Sequence, residues 1–418
     1  MDGTLLGYSA PVVVAGVLAL YMAWAIGAND VANAMGTSVG SGALTLRGAI
    51  LVAAVLEFGG AFLAGGHVTE TISKGILDVG ALTRDELVWG MLASLASAGT
   101  WLVVASRAGW PVSTTHSIVG AIVGFGAVAI GPEAVQWGEV GTIVFSWLTS
   151  PLIGGTLAFL LFVFVRRAVL DQDDPMASAK RLGPLFYFWV FFTIGLVTLF
   201  KGLKNLNLDL DFAGAVRYSA VLGLFGAGFG WLLLRRIQAA PRDEQRRFSN
   251  VERVFAVLQI LTACAVAFAH GSNDVANAIG PLAAAVNASQ GGDLGAKAPV
   301  AIWMLGVGGL GIVVGLGTYG YKVMATIGKH ITELTPSRGF AAELAAATTI
   351  VVASRLGIPV STTHTLVGAV LGVGLARGIG ALDLRVVGRI LVSWVVTLPT
   401  GAGLAIFFYF FFKGVFSP

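Results

Sequence analysis

Two carboxylates stand where carboxylates are costly. Asp30 lies in Asn29-Asp30-Val31-Ala32-Asn33-Ala34 and Asp274 in Asn273-Asp274-Val275-Ala276-Asn277-Ala278. The two blocks are identical, and each sits inside a long apolar run. An ionisable residue within an apolar membrane segment marks an ion or substrate path by default. On a helix, Asp30 and Asn33 are three apart and Asn29 and Asn33 four apart, so the three side chains share a face; Asn273, Asp274 and Asn277 repeat that spacing. Carboxylate and amide oxygens are hard ligands that suit sodium and not a soft metal. Gly27, Ala28, Ala32, Ala34 and Gly36 leave room for another backbone to approach or for the helix to unwind locally. A polar patch that glues helices together is the competing reading, but such a patch has little need of a charged Asp twice.

A second constellation also occurs twice. Val103-Val104-Ala105-Ser106-Arg107-Ala108-Gly109-Trp110-Pro111-Val112-Ser113-Thr114-Thr115-His116 recurs at 351–364, differing only at Leu356 and Ile358. Pro favours the first helical position and Ser or Thr caps free N–H groups, so each block reads as a helix start behind a Gly-permitted bend. This predicts the tip of a re-entrant hairpin or broken helix. Helix N-termini at membrane depth offer N–H donors and positive dipole to an anion. Ser113, Thr114 and Thr115, with Ser361, Thr362 and Thr363, add hydroxyls. Two such tips face to face would cradle a tetrahedral oxyanion, and the hydroxyl oxygens of Thr115 and Thr363 can also ligate sodium. The alternative is ordinary capping of a transmembrane helix.

The remaining polar residues are less determinate. His116 and His364 follow the hydroxyls, but adjacency is not triad geometry, and structural histidines bonding backbone carbonyls are expected. Glu57 and Glu343 lie in apolar runs without mates in the other half. Glu70 and Glu333 match one another beside Thr residues, as coupling groups or as caps. Arg107 and Arg355 flank the hairpin tips, where they draw in an anion or hold the hairpin.

These residues need a scaffold, and composition says which. Of 418 residues 56% are hydrophobic and 11% charged, against the roughly 25% charged of a soluble domain. The expectation is an all-α polytopic membrane protein with about 12 segments, at 10–36, 48–66, 87–105, 113–131, 140–165, 184–200, 214–234, 254–286, 299–327, 340–354, 365–381 and 388–412. Cys264 is the single cysteine, so no intrachain disulfide forms. Met1-Asp2-Gly3 has no basic region, which predicts a retained first helix. No phosphate-loop, nucleic-acid or transition-metal motif is present.

The blocks recur in order, together with a looser pair, His67–Gly75 and His330–Gly339. The chain therefore divides into repeats over 1–166 and 251–418 around an insert at 167–250. Basic residues after 165 (Arg166, Arg167, Lys180, Arg181) and after 234 (Arg235, Arg236, Arg242, Arg246, Arg247, Arg253) place both loops in the cytoplasm. An odd number of crossings per half then inverts the repeats and leaves both termini outside.

On Gly-Ala-Asn-Asp-Val-Ala-Asn at 27–33, Gly-Ser-Asn-Asp-Val-Ala-Asn at 271–277, Pro-Val-Ser-Thr-Thr-His at 111–116 and 359–364, and Thr-Pro-Ser-Arg-Gly-Phe at 335–340, the chain resembles the Pit-type inorganic phosphate transporters. The resemblance spans nearly the whole chain except the insert. The insert is short, which excludes the large cytoplasmic domain of some relatives. The resemblance implies phosphate uptake coupled to sodium or protons, Asp30 and Asp274 as cation ligands, important carboxylates at Glu57 and Glu343, and a homodimer. The resulting expectation is sodium–phosphate symport at the cell (inner) membrane, with no cofactor, no enzymatic activity and no nucleic-acid partner. Phosphate would lie between the Ser-Thr-Thr tips, and sodium among Asn29, Asp30, Asn33, Asn273, Asp274, Asn277 and the hairpin hydroxyls. Proton coupling, sulfate as substrate and an anion channel are the alternatives.

Overall fold

The computed structural model describes residues 4–5, 8–65, 76–199, 211–236, 244–294, 298–355 and 360–417. Apart from a short antiparallel pair, Thr4–Leu5 with Tyr8–Ser9, its regular structure is helical. Helices α1 (Ala10–Gly40) and α2 (Leu46–Ala64) precede a hairpin, α3 (Arg84–Ala108) and α4 (Thr114–Ala129), and then α5 (Trp137–Val165). A central pair follows, α6 (Pro175–Val197) and α7 (Phe212–Arg236). The second half comprises α8 (Glu244–Ser289), α9 (Ile302–Tyr319), the short α10 (Tyr321–Ala325), a hairpin of α11 (Pro336–Arg355) and α12 (Thr362–Arg377), and α13 (Leu384–Phe416).

Each apolar segment expected from the sequence carries a helix. The segment at 299–327 is divided at Gly320 into α9 and α10. Nine helices among the described residues are long and apolar enough to cross a membrane, and this is a multi-pass membrane protein. At 1.5 Å per residue, the 16 residues of α4 and of α12 extend about 24 Å, short of the roughly 30 Å hydrocarbon core. α4 packs against α3, and α12 against α11, as helical hairpins. The block His67–Gly75, including Glu70, lies outside the described residues, as does the second hairpin tip at 356–359.

Residue size explains the packing. Large apolar side chains such as Leu148, Leu152, Val221, Phe225 and Val395 point outward, as a hydrocarbon solvent allows. Inside, small residues let backbones approach. A Cβ on Gly27 would lie 2.7 Å from the Ile312 carbonyl carbon, so glycine is what lets α1 press against α9. Both Asn-Asp blocks stay within uninterrupted helix, α1 and α8, with no local unwinding. The break falls at the hairpin tip instead. Gly109 ends α3 in the left-handed region at φ 69°, and Trp110 N–H bonds the Ala105 carbonyl. Pro111 belongs to the extended tip, two residues before the N-cap, and not to the first helical position expected of it.

Candidate functional site

Asp30 is where the two hairpins meet. Ser113 caps α4 and Ser361 caps α12, each hydroxyl accepting the N–H of the histidine three residues on at 3.3 Å. This leaves the next residues free to point at α1. Thr114 Oγ1 donates to Asp30 Oδ2, and Thr363 Oγ1 donates to Asp30 Oδ1 at 3.3 Å. Asn33 Nδ2 donates to Asp30 Oδ1 at 2.9 Å and to Thr363 Oγ1 at 2.8 Å. Thr363 Oγ1 also lies 3.4 Å from the Val112 carbonyl, so the second hairpin touches the tip of the first. Asn33 Oδ1 is buried without a hydrogen-bond donor among the described residues. Two carboxylate oxygens and two hydroxyl oxygens thus converge from three helices, with the Asn33 amide beside them. That donor set fits a small hard cation.

Asp274 has different surroundings. It accepts from Asn277 Nδ2 at 3.2 Å and lies 3.0 Å from His270 Nε2, one turn earlier on α8. The same His270 Nε2 is 3.8 Å from Asp30 Oδ2, and His270 Nδ1 is 3.4 Å from Glu57 Oε1 on α2. Asp30, His270 and Asp274 form the one described group whose ligand atoms all lie within 4.8 Å of one another. A narrow cavity of about 40 Å³, lined by Asn33, His270, Asn273, Thr362 and Thr262 among mostly apolar residues, adjoins this cluster. It has room for a water-sized occupant.

The expected residues distribute unevenly. Asp30, Asn33, Thr114, Thr363, Asp274, Asn277 and Glu57 are brought together. Asn29 is buried, but its amide is committed elsewhere. Nδ2 donates to Ser106 Oγ and to the Trp110 carbonyl, both at 3.0 Å, and Oδ1 accepts from Val112 N–H at 3.2 Å. It braces the hairpin tip. Thr115 is exposed and reaches neither Asp. Thr362 lines the cavity with Asn273. Glu333 is a surface residue paired with Arg377 at 3.2 Å and Arg338 at 3.7 Å, so it is no part of this cluster. Arg107 is exposed at the end of α3. Arg355 ends α11, its side chain outside the described residues.

Of the two histidines after the tips, His364 corrects its expected role. His116 and His364 meet edge to face with centroids 4.9 Å apart, and His364 stacks on Trp394 at 3.7 Å. Neither ring nitrogen of His364 has a hydrogen-bond partner among the described residues, so ring packing replaces the carbonyl bond.

Glu343 forms a separate buried cluster. It accepts from Thr37, from Ser38 at 2.9 Å, from Gln259 at 3.4 Å and from Thr262 at 2.6 Å. Sequence reading passed over His270 and these four donors. His270 had a signal, its spacing of four from Asp274 within an apolar run; Gln259 and the hydroxyls had none.

Comparison with known proteins agrees with this architecture. Residues 26–405 match the model of the phosphate transporter family. A putative phosphate permease of Haemophilus influenzae is 47% identical over 96% of each chain. The chloroplastic inorganic phosphate transporter 2-1 of Arabidopsis thaliana is 46% identical over 95% of this chain and 71% of its own. A solved structure described as the sodium-dependent phosphate transporter superposes with a TM-score of 0.86 at 41% identity, covering 97% of this chain and 99% of that one. The chain belongs to the phosphate transporter family, and it is a transporter and not an enzyme.

Proposed function

We propose that the chain imports inorganic phosphate by symport with sodium. The observation that carries this reading is the convergence of Thr114 and Thr363, one from each hairpin, on the Asp30 carboxylate beside the Asn33 amide. Sodium takes those oxygens, and phosphate takes the capped helix N-termini and the hydroxyls of Ser113, Thr114, Thr115, Ser361, Thr362 and Thr363. The cation lowers the cost of holding an anion at low dielectric. An empty site with bare carboxylates resists crossing, and that resistance couples the two fluxes. Asp274 and Asn277, with Asn273 at the cavity, supply a second cation position, while Asn29 acts through the hairpin tip.

The repeats have inverted topology in this reading. Support comes from α1 and α8 running antiparallel: Asp30 lies beside His270, and at the C-terminal end of α1 Ser41 Oγ donates at 2.8 Å to Gln259 Oε1, which lies earlier in α8. Alternating access follows from one bundle moving against the other. The basic loops face the cytoplasm, both termini lie outside, and the protein is a homodimer of the cell (inner) membrane.

One observation favours a second reading, proton coupling. The His270 imidazole touches Glu57, Asp274 and Asp30, a cluster able to hold a proton in place of sodium. Phosphate uptake into proteoliposomes at fixed pH, with and without a sodium gradient, separates the two. Sodium symport requires sodium-dependent uptake that Asp30→Asn and Asp274→Asn abolish. Uptake that ignores sodium and follows the proton gradient overturns it. Excess sulfate leaves phosphate uptake intact if an acceptor carboxylate reads the P–OH donor.

A further inference from the structure

Away from the carboxylates, the first hairpin tip forms one wall of a second, open cavity of about 430 Å³. Its lining includes Arg107 from the end of α3, Lys322 from α10, His330 just after it and Arg389 from α13. Among the described residues no acidic side chain lines it. The nearby acids are committed elsewhere. Asp383 caps α13 by accepting the N–H groups of Arg385 and Val386 at 3.0 and 3.2 Å, and Glu333 pairs with Arg377 and Arg338. Arg107, Lys322 and Arg389 form no ion pair among the described residues. Three cationic side chains brought into one concave space by three separate helices, one of them (Lys322) with its Nζ 5.0 Å from the Tyr319 ring centroid, favour an anion among them.

The wall ties this cavity to the central site. Thr326 Oγ1 donates to the Gly109 carbonyl at 2.7 Å, and the next carbonyl, Trp110, accepts from Asn29 beside Asp30. Only Trp110-Pro111-Val112 separates the basic cavity from the capped start of α4. The cavity also lies at the end of the molecule where α1 finishes, since a Cβ on Gly40 would press into the Gly328 backbone, two residues before His330. That end is the one the basic loops mark as cytoplasmic.

We propose that this cavity is a second oxyanion site. It takes free inorganic phosphate on the cytoplasmic side of the hairpin tip, as a station that phosphate occupies after leaving the central site. The assignment of phosphate rests on the symport reading; the existence of the anion site does not.

The test uses the full-length chain in detergent with Cys264→Ala, which removes the single native thiol, and Ala108→Cys, which puts one on the cavity lining without removing a cation. Labelling by a neutral maleimide is followed in sodium-free potassium phosphate. At about ten times the dissociation constant the site is mostly filled, and labelling slows about tenfold by mass action. Potassium chloride at equal ionic strength gives no such protection. Adding Lys322→Gln and Arg389→Gln, both clear of the central carboxylates, removes the protection while the protein still elutes as a single species and still labels at the unprotected rate.

Labelling that phosphate never slows, or slows no more than chloride does, overturns the proposal. So does protection that requires sodium, because the central site then accounts for it. Protection by phosphatidylglycerol vesicles without protection by phosphate overturns it in favour of a lipid headgroup site. Sodium-free protection that persists in a protein lacking sodium-coupled uptake keeps the anion site and rejects the symport reading; the reverse pattern does the opposite.

Discussion

Thr115 and Thr363 occupy matching positions of the duplicated block, and a purely sequence-based account treats them alike. Their surroundings differ. Thr363 Oγ1 is buried, accepts from Asn33 at 2.8 Å and donates to Asp30 at 3.3 Å, whereas Thr115 is exposed and touches neither carboxylate. Thr→Val keeps the shape and deletes the hydroxyl. At position 363 it strips one hydroxyl oxygen from the proposed cation shell, a contact with a charge worth about 1.5–3 kcal/mol, the scale of a hydrogen bond to a charged group. At about 1.4 kcal/mol per tenfold, that weakens sodium binding by about 10- to 100-fold. At position 115 the same change leaves the cation shell intact, and the sodium affinity stays within about twofold, the scale of an ordinary surface substitution. The assay is the sodium concentration giving half-maximal phosphate uptake in proteoliposomes, measured at saturating phosphate. Equal shifts for Thr115→Val and Thr363→Val would refute the claim that both hairpins converge on Asp30 alone.

Two further substitutions probe packing and the second buried carboxylate. Gly27→Ala places a methyl 2.7 Å from the Ile312 carbonyl carbon and must separate α1 from α9, so thermal unfolding in detergent should shift down by several degrees, in line with an overpacking cost of about 1–3 kcal/mol. An unchanged midpoint would count against that close approach. Glu343→Ala leaves the hydroxyls of Thr37 and Ser38 without their buried acceptor, at a cost of about 1–3 kcal/mol per unsatisfied donor, while Thr262 keeps the Gln259 carbonyl at 2.8 Å; Glu343→Gln keeps one acceptor oxygen. The alanine variant should therefore melt below the glutamine variant, and identical midpoints would remove Glu343 from its place as hub of that cluster.

Much of the architecture was legible because membrane helices obey short-range rules. Each apolar run predicts a helix, and the turn chemistry at Gly109 and Ser113 marks the hairpin break. Capping depends on residues three or four apart, and so does the shared face of Asp30 and Asn33, which the structure retains as a hydrogen bond. The duplicated blocks likewise singled out both aspartates and both hydroxyl runs.

The partners across helices were not legible, because they are contacts between residues far apart in the chain. Thr363 reaches Asn33 across 330 positions, and Thr37 reaches Glu343 across 306. Repetition also misled where it implied equivalence. Identical blocks in α1 and α8 meet different neighbours. Asp30 collects a hydroxyl from each hairpin, while Asp274 lies beside His270, whose place in the first half is taken by Ile26. Asn29 similarly looked like a ligand from its spacing, but it spends its amide on the Trp110 and Val112 backbone. Local sequence thus determines which residues are polar, which face they share and where a helix must begin. Which of two equivalent carboxylates gathers oxygen ligands, and which gathers an imidazole, was settled only when the tertiary packing brought the two hairpins and α8 against α1.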